Sequence, residues 1–245
     1  MTTSKGKRPK HDWRFPGESA QYRQAREDLL DAEVNLRRQI EAVAAQRRKL
    51  PLGGAVPTDY VFEEWDAGKN APRQVRLSEL FEDGKDTLFV YSHMFIPGKR
   101  GLPLEQACPS CTSIIDGMDG SAPHISQRIN FVVVARVPIK QFRAHAKSRG
   151  WRHVRLLSSA NNTYNRDYRA ESADGEQLPM ATVFVRRGGK IRHTWSSELF
   201  LVPNDPGLDM RHVDFMWPVW MVLDRTPKGR GKNWGPELEY PSKAT

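Results

Sequence analysis

Two apolar, β-prone runs constrain the fold of this 245-residue chain more than any other feature. Residues 87–91 read Thr-Leu-Phe-Val-Tyr, and residues 131–135 read Phe-Val-Val-Val-Ala. Continuous apolar runs of this length are typical of strands buried on both faces of a sheet, and parallel strands of this kind are joined by a helix. The sequence therefore predicts a strand–helix–strand unit at the centre of the molecule.

The elements around this unit extend the prediction to an α/β layer fold. Short strands are expected at residues 60–65 and 75–77, with Gly68, Asn70 and Pro72 as turn residues between them. A helix is expected after Pro138, then a strand at 154–157, a polar loop at 158–168, and a hairpin with strands 182–185 and 191–195. This order favours a mixed sheet flanked by helices, parallel at its centre and antiparallel at one edge.

The N-terminal region has a different organisation. Residues 19–50 have apolar side chains at helical intervals, including Leu29, Leu36, Ile40 and Val43, and Ser19 can cap the start of a long helix. The expected domains are a disordered basic arm at 1–18, the long helix at 19–56, an α/β domain at 57–235 and a tail at 236–245. The apolar stripe either packs on its own domain or pairs two copies into a homodimer.

Composition and charge exclude several classes of protein. The net charge is +9, but residues 1–11 carry four of the bases and the rest are scattered, so nucleic-acid binding is not expected. The longest nearly apolar run, residues 215–223, is too short for a membrane span and contains Pro218. No apolar stretch follows the charged start, so a secretory signal is not expected. The expected location is the cytoplasm.

The two cysteines, Cys108 and Cys111, form a CxxC motif between the first buried strand and the following helix. If Pro109 is an early helical residue, Cys108 lies at the helix N-terminus, where free amides and the helix dipole favour a thiolate. Cys111 follows one turn later and can resolve a mixed disulfide. The motif predicts a thiol–disulfide oxidoreductase that acts on protein or small-molecule thiols and disulfides.

Three other interpretations of the motif remain open. A structural zinc site would need two further ligands, and the seven histidines contain no HxxxH pair. The cysteines could also be an inert structural pair, or the domain could be a non-catalytic binding or assembly module. Neither a metal nor a cofactor is expected.

Two residues outside the motif are further candidates for the site. Arg136 follows the strand at 131–135 and His93 follows the strand at 87–91. The C-terminal ends of neighbouring parallel strands share one sheet edge, where the CxxC loop also lies, so Arg136 there would lower the pKa of Cys108. The alternative for each is an ordinary structural role. The aromatic residues Phe215, Trp217 and Trp220 are expected to pack in the core.

The chain also resembles the DUF899 family of bacterial thioredoxin-like proteins. The resembling stretches are residues 22–26 (YRQAR), 36–41 (LRRQIE), 46–48 (QRR), 57–62 (PTDYVF), 91–95 (YSHMF), 108–111 (CPSC) and 223–230 (LDRTPKGR). The resemblance covers nearly the whole chain past residue 18 and implies a thioredoxin-like fold. In that wider superfamily a cis-proline faces the CxxC, and Pro179 lies near the corresponding position. Residues 103–107 lack the Thr of the peroxiredoxin signature, so efficient peroxide reduction is not expected.

Overall fold

A computed structural model describes residues 11, 13–96, 106–203, 206, 217–226 and 234–240. The expectations for residues 1–10 of the basic arm, for Phe215 and for most of the loop before Cys108 lie outside these residues. The chain divides into two units, residues 1–50 and residues 51–245. No helix among the described residues combines the length and apolar character that crossing a bilayer requires.

The first unit contains helix α1, Ala20–Arg48, which confirms the predicted long helix. The hydroxyl of Ser19 accepts from the backbone N–H of Tyr22 at 3.1 Å, as expected of an N-cap. Arg47 and Arg48 lie in the last turn, where cations complement the free carbonyl groups.

The second unit is built on a seven-stranded sheet. Its strands are β1 Val61–Asp66, β2 Ala71–Arg76, β3 Thr87–His93, β6 Asn130–Ala135, β7 Arg155–Ser158, β8 Met180–Arg187 and β9 Lys190–Ser196. They follow the order β2-β1-β7-β6-β3-β8-β9. A separate two-stranded ribbon joins β4, Phe95–Ile96, to β5, Gln106–Ala107.

Strand pairing confirms the predicted centre and corrects the predicted edges. β3 pairs parallel with β6, and β6 pairs parallel with β7. The hairpin of β8 and β9 is antiparallel, as expected, but β1 and β2 add a second antiparallel edge on the other side. Pro72 lies within β2 rather than in the turn before it. This is compatible with its missing N–H because β2 is an edge strand.

The second unit also contains helices that flank the sheet. They are α2 Pro109–Asp119, α3 Ala122–Ile125, α4 Ile139–Arg149, α5 Tyr164–Asp167 and α6 Pro218–Leu223. Gly150 ends α4 in the left-handed conformation, with φ of 76°, as its sequence position predicts. The prediction of a polar loop at 158–168 was wrong in part, because the segment contains α5 and buries Tyr164 and Asn165. The buried amide is satisfied, since its Oδ1 accepts from the Ser159 hydroxyl at 2.6 Å.

The central strands separate two hydrophobic cores. Along β6, Val132 and Val134 belong to one core, whereas Val133 and Ala135 belong to the other. The second of these cores also contains both cysteines, Tyr91 of β3 and residues of α2, α4 and α6. The alternation of a buried strand therefore places the CxxC pair against one defined face of the sheet.

Candidate functional site: the CxxC pair and its buried surroundings

Cys108 is the N-cap residue of α2, and Pro109 is its first helical residue. The backbone of Cys108 is fixed on both sides, because its N–H donates to the Met94 carbonyl at 3.0 Å and its carbonyl accepts from Thr112 at 2.9 Å. Proline suits this first position, where its missing N–H leaves no intrahelical bond unmade. The predicted placement of the motif at a helix N-terminus is confirmed.

The two thiols are free and differ in burial and acidity. Cys108 is 6% exposed and Cys111 is 1% exposed. A hydrogen bond from the Cys111 thiol, with further bonds from the amides of Cys111 and Ser110, outweighs burial and lowers the pKa of Cys108 to about 6. Burial, followed by the proximity of Cys108, raises the pKa of Cys111 well above its ordinary value. At neutral pH Cys108 is therefore mainly a thiolate, whereas Cys111 keeps its proton.

Tyr91 of β3 lies beneath the pair. Burial raises the pKa of its hydroxyl far above the ordinary value, and nearby Cys111 and Cys108 raise it further. Among the described residues this hydroxyl has no hydrogen-bond partner of normal geometry. A neutral phenol beside a thiol can orient its O–H toward the sulfur when the thiolate forms. Tyr91 therefore lies where it can stabilise charge on Cys111.

His93, two residues further along β3, is also brought to the CxxC helix. It is 1% exposed, and its Nε2 lies 3.3 Å from the hydroxyl of Thr112, the residue after Cys111. The same hydroxyl lies 3.1 Å from Nε2 of His145 on α4. Burial, and secondarily His145, lowers the pKa of His93 to about 3, so its ring is neutral at physiological pH.

Aromatic rings enclose these polar groups. The His93 ring lies 5.4 Å from Phe95, 5.6 Å from Phe142 and 5.9 Å from Trp151, measured between centroids. The Trp151 ring is also 5.3 Å from that of His145. The polar side chains of His93, Thr112 and His145 therefore lie in a mainly aromatic layer between the sheet, α2 and α4.

Charged and polar contacts fix α2 to the rest of the unit. Asp116 forms an ion pair with Arg149 at the end of α4 and accepts from the Trp151 indole at 2.7 Å. Trp217 donates its indole N–H to Ser113 at 2.9 Å. Trp217 and Trp220 are both buried, which confirms their predicted packing role. The helix that presents the cysteines is thus held on more than one side.

Arg136 is placed differently from His93. Its guanidinium forms an ion pair with Glu171, and the largest causes of the pKa shift of Cys108 are Cys111, burial and Ser110. Its proposed influence on the cysteines stays a prediction.

Peptide bonds among the described residues are all trans, including the one before Pro179, which departs from the superfamily pattern.

The remaining site residues were not identified from sequence. Tyr91, Thr112 and His145 come from a strand and two helices, and no motif links them along the chain. Only the alternation of β3, which puts Tyr91 and His93 on the same face, could have suggested the first of them. The described residues contain no group of three or more His, Cys, Asp or Glu arranged to hold a metal ion.

Fold and site together define a thioredoxin-like α/β protein with a CxxC pair at a helix N-terminus. The chain belongs to the DUF899 family, described as a bacterial protein of unknown function, whose model matches residues 14–243. This confirms the resemblance drawn from the sequence. No curated protein matches the chain.

Several solved structures are similar to this chain at low identity. Thioredoxin peroxidase I of Plasmodium yoelii is 19% identical, with a TM-score of 0.42 over 71% of this chain and 91% of that one. The mitochondrial 2-Cys peroxiredoxin of Plasmodium falciparum is 13% identical, with a TM-score of 0.43 over 71% and 96%. Peroxidoxin BcpB of Mycobacterium tuberculosis is 17% identical, with a TM-score of 0.41 over 71% and 98%.

Proposed function

We propose that this protein is a thiol–disulfide oxidoreductase in which Cys108 is the nucleophile and Cys111 the resolving cysteine. The observation that carries the proposal is the placement of Cys108 as the N-cap of α2 with Cys111 one turn later, and the opposite pKa shifts of the two thiols agree with it. Disulfides are attacked by thiolates, and a thiol with a pKa near ambient pH combines a large thiolate fraction with good nucleophilicity. Cys108 meets this condition, whereas Cys111 does not until the first step has occurred.

The reaction has two balanced steps. The Cys108 thiolate attacks one sulfur of a substrate disulfide, forming a mixed disulfide and releasing the other sulfur as a thiolate that takes a proton from water. Cys111 then loses its proton and attacks Cys108, which releases the second substrate thiol and leaves a Cys108–Cys111 disulfide. The substrate gains two electrons and the pair loses two, so an external dithiol must regenerate the protein.

Variants of the two cysteines separate these roles. Cys111→Ser should still attack disulfides but accumulate a stable mixed disulfide, whereas Cys108→Ser should form none. Mass spectrometry of each reduced variant after exposure to a small aromatic disulfide measures both outcomes. Partners trapped by Cys111→Ser in cell extract, and absent with Cys108→Ser, would be protein or small-molecule thiols. The proposal fails if Cys108 of the folded Cys111→Ser protein forms no adduct.

One observation favours the alternative of a non-catalytic module. Both sulfurs are buried, and reactive cysteines are usually more accessible than the 6% exposure of Cys108. Insulin reduction with a dithiol as the terminal reductant discriminates the two functions. An oxidoreductase accelerates insulin reduction, and the Cys108→Ser variant does not. A binding module gives the same rate for the wild-type protein and for Cys108→Ser.

A further inference from the structure

Three polar side chains form a continuous line through the aromatic layer beside the CxxC helix. Thr112 lies in the middle, with its hydroxyl 3.3 Å from Nε2 of His93 and 3.1 Å from Nε2 of His145. His93 and Thr112 are each 1% exposed, whereas His145 is partly exposed. The line therefore runs from the interior of the molecule toward its surface.

A hydroxyl has one proton, so the line has a direction. If Nε2 of His93 donates to Thr112, then Thr112 donates to Nε2 of His145, whose proton is on Nδ1. If Nε2 of His145 donates instead, Thr112 donates to His93, whose proton is then on Nδ1. Passing one proton along the line converts the first arrangement into the second.

The inner end of the line is open. Among the described residues, Nδ1 of His93 is buried without a hydrogen-bond partner of normal geometry. The backbone of Met94 lies within hydrogen-bonding reach of both the His93 ring and the Cys111 thiol. Tyr91, on the same face of β3 as His93, interacts with Cys111 as well. The open nitrogen and the buried thiol therefore share the same small interior region.

We propose that His93, Thr112 and His145 form a proton route that connects the buried thiol of Cys111 with solvent. The inference rests on the proposed function, because only the resolving step requires Cys111 to lose its proton. Cys108 needs no such route, since it is already acidic and lies at the end of the helix.

The proton transfer balances at each atom. As Cys111 attacks Cys108, its proton passes to Nδ1 of His93 while Nε2 of His93 gives its own proton to Thr112. Thr112 gives its hydroxyl proton to Nε2 of His145, and Nδ1 of His145 releases a proton to water. Reduction of the disulfide returns a proton by the reverse path. Because burial keeps His93 neutral, the route transfers protons without storing a charge inside.

The charges around the outer end are compatible with release to solvent. His145 faces the neutral His93 on β3 and Asp116 on α2, and Arg149 lies one turn further along its own helix. Burial, followed by Arg149, lowers the pKa of His145, and Asp116 opposes this shift. His145 is therefore mainly neutral near pH 7 and available to exchange protons.

The route can be tested by following the two steps separately. Reduced protein is mixed with an aromatic disulfide that releases one coloured thiolate when Cys108 attacks and a second when Cys111 attacks. Thr112→Val should leave the first phase unchanged and slow the second at least about a hundredfold, the low end of typical proton-transfer contributions. Thr112→Ser restores the hydroxyl and should restore the second phase. Thr194→Val on β9, which removes a hydroxyl that donates to the Val183 carbonyl of β8, is the matched control.

The outcomes separate the route from the proposed function. A normal second phase in Thr112→Val would overturn the route and leave the oxidoreductase standing, whereas a missing first phase in the wild-type protein would remove the oxidoreductase itself. If Thr112→Val does not fold, His145→Gln decides, because it breaks the route near the surface. It should slow the second phase alone, and an unchanged second phase would overturn the route.

The nitrogen atoms supply a readout independent of turnover. In either arrangement only one of the two Nε2 atoms carries a proton, so NMR of the reduced protein near pH 7 should show opposite tautomers for His93 and His145. If both rings carry their proton on Nε2, Thr112 accepts from both and the route does not exist.

Discussion

The indole N–H of Trp217 donates to the hydroxyl of Ser113 at 2.9 Å, joining the C-terminal helix α6 to the helix that carries both cysteines. Trp217 is buried, and its ring lies 4.9 Å from that of Trp220. Pro218 contacts the same helix, because a Cβ added at Gly117 would lie 3.0 Å from its ring. Glycine at 117 thus permits the close approach of α6 to α2, although it weakens α2 as a helix.

Removing this contact should destabilise the second unit. We expect Trp217→Ala to lower the free energy of unfolding by about 3–5 kcal/mol, as for other buried large aromatic residues. Ser113→Ala should lower it by only about 1 kcal/mol, since it removes one hydrogen bond. Urea unfolding measures both, with Trp13→Ala as the control because that side chain is 74% exposed. Equal effects for the two tryptophans would contradict the packing role of Trp217.

The acidity of Cys108 should depend on the Cys111 side chain more than on any other group. The hydrogen bond from Cys111 is the largest cause of the lowered pKa, which is about 6. Alkylation by iodoacetamide should therefore reach half its maximal rate near that pH. Cys111→Ala removes the donor and should shift the profile toward higher pH. Cys111→Ser keeps a donor and should shift it less, so identical profiles for the two variants would point to the helix amides instead.

The sequence was sufficient for the centre of the fold because strands buried on both faces have a simple signature. The apolar run at β6 can be predicted as a strand without tertiary information. The same holds for the hairpin turn at Gly188–Gly189, because glycine readily adopts the positive φ that both residues have there. The second antiparallel edge was missed because it depends on where β1 returns to the sheet. The strand pairing of β1 with β7 has a single register pair, Glu63 with Ser158, and no local pattern encodes it.

The candidate site was predictable only where it is contiguous in sequence. Cys108 and Cys111 are linked by the helix they begin, so their spacing indicates their geometry. His145 reaches the site from α4, thirty-three residues after Thr112, and its contribution depends on the packing of two helices. Arg136 illustrates the opposite case, because its position at the sheet edge is correct while its observed partner is Glu171.

Asp119 at the end of α2 should make stability depend on pH. Burial raises the pKa of Asp119, but hydrogen bonds from the backbone N–H groups of His153, Arg152 and Val154 lower it by more. The net shift is therefore downward. A lowered folded-state pKa contributes stability above the unfolded value of about 4, and this is lost as pH falls through the folded value. Asp119→Asn should therefore be less stable by about 1–2 kcal/mol near neutral pH, by analogy with hydrogen bonds to charged groups. The difference should shrink near pH 3, measured by urea unfolding against Asp174→Asn, an exposed loop control.

Helix α1 gives the last prediction, on association and solubility. Leu29, Leu36 and Ile40 are exposed in the described structure. Because a helix of 29 residues is not stabilised by local propensity alone, we expect this stripe to be buried against its own domain or a second copy. Deleting residues 1–50 should therefore leave an aggregating or less stable protein. Leu36→Lys should reproduce part of that loss, whereas Ala42→Lys, on the opposite side of the helix, should not.

Sedimentation of the intact chain then distinguishes the two ways of burying the stripe. A dimer that Leu36→Lys dissociates supports pairing of two copies, and a monomer destabilised by the same change supports packing on one domain. A truncated protein as soluble and as stable as the full chain would show that the stripe needs no partner, because its burial would then contribute nothing to the folded state.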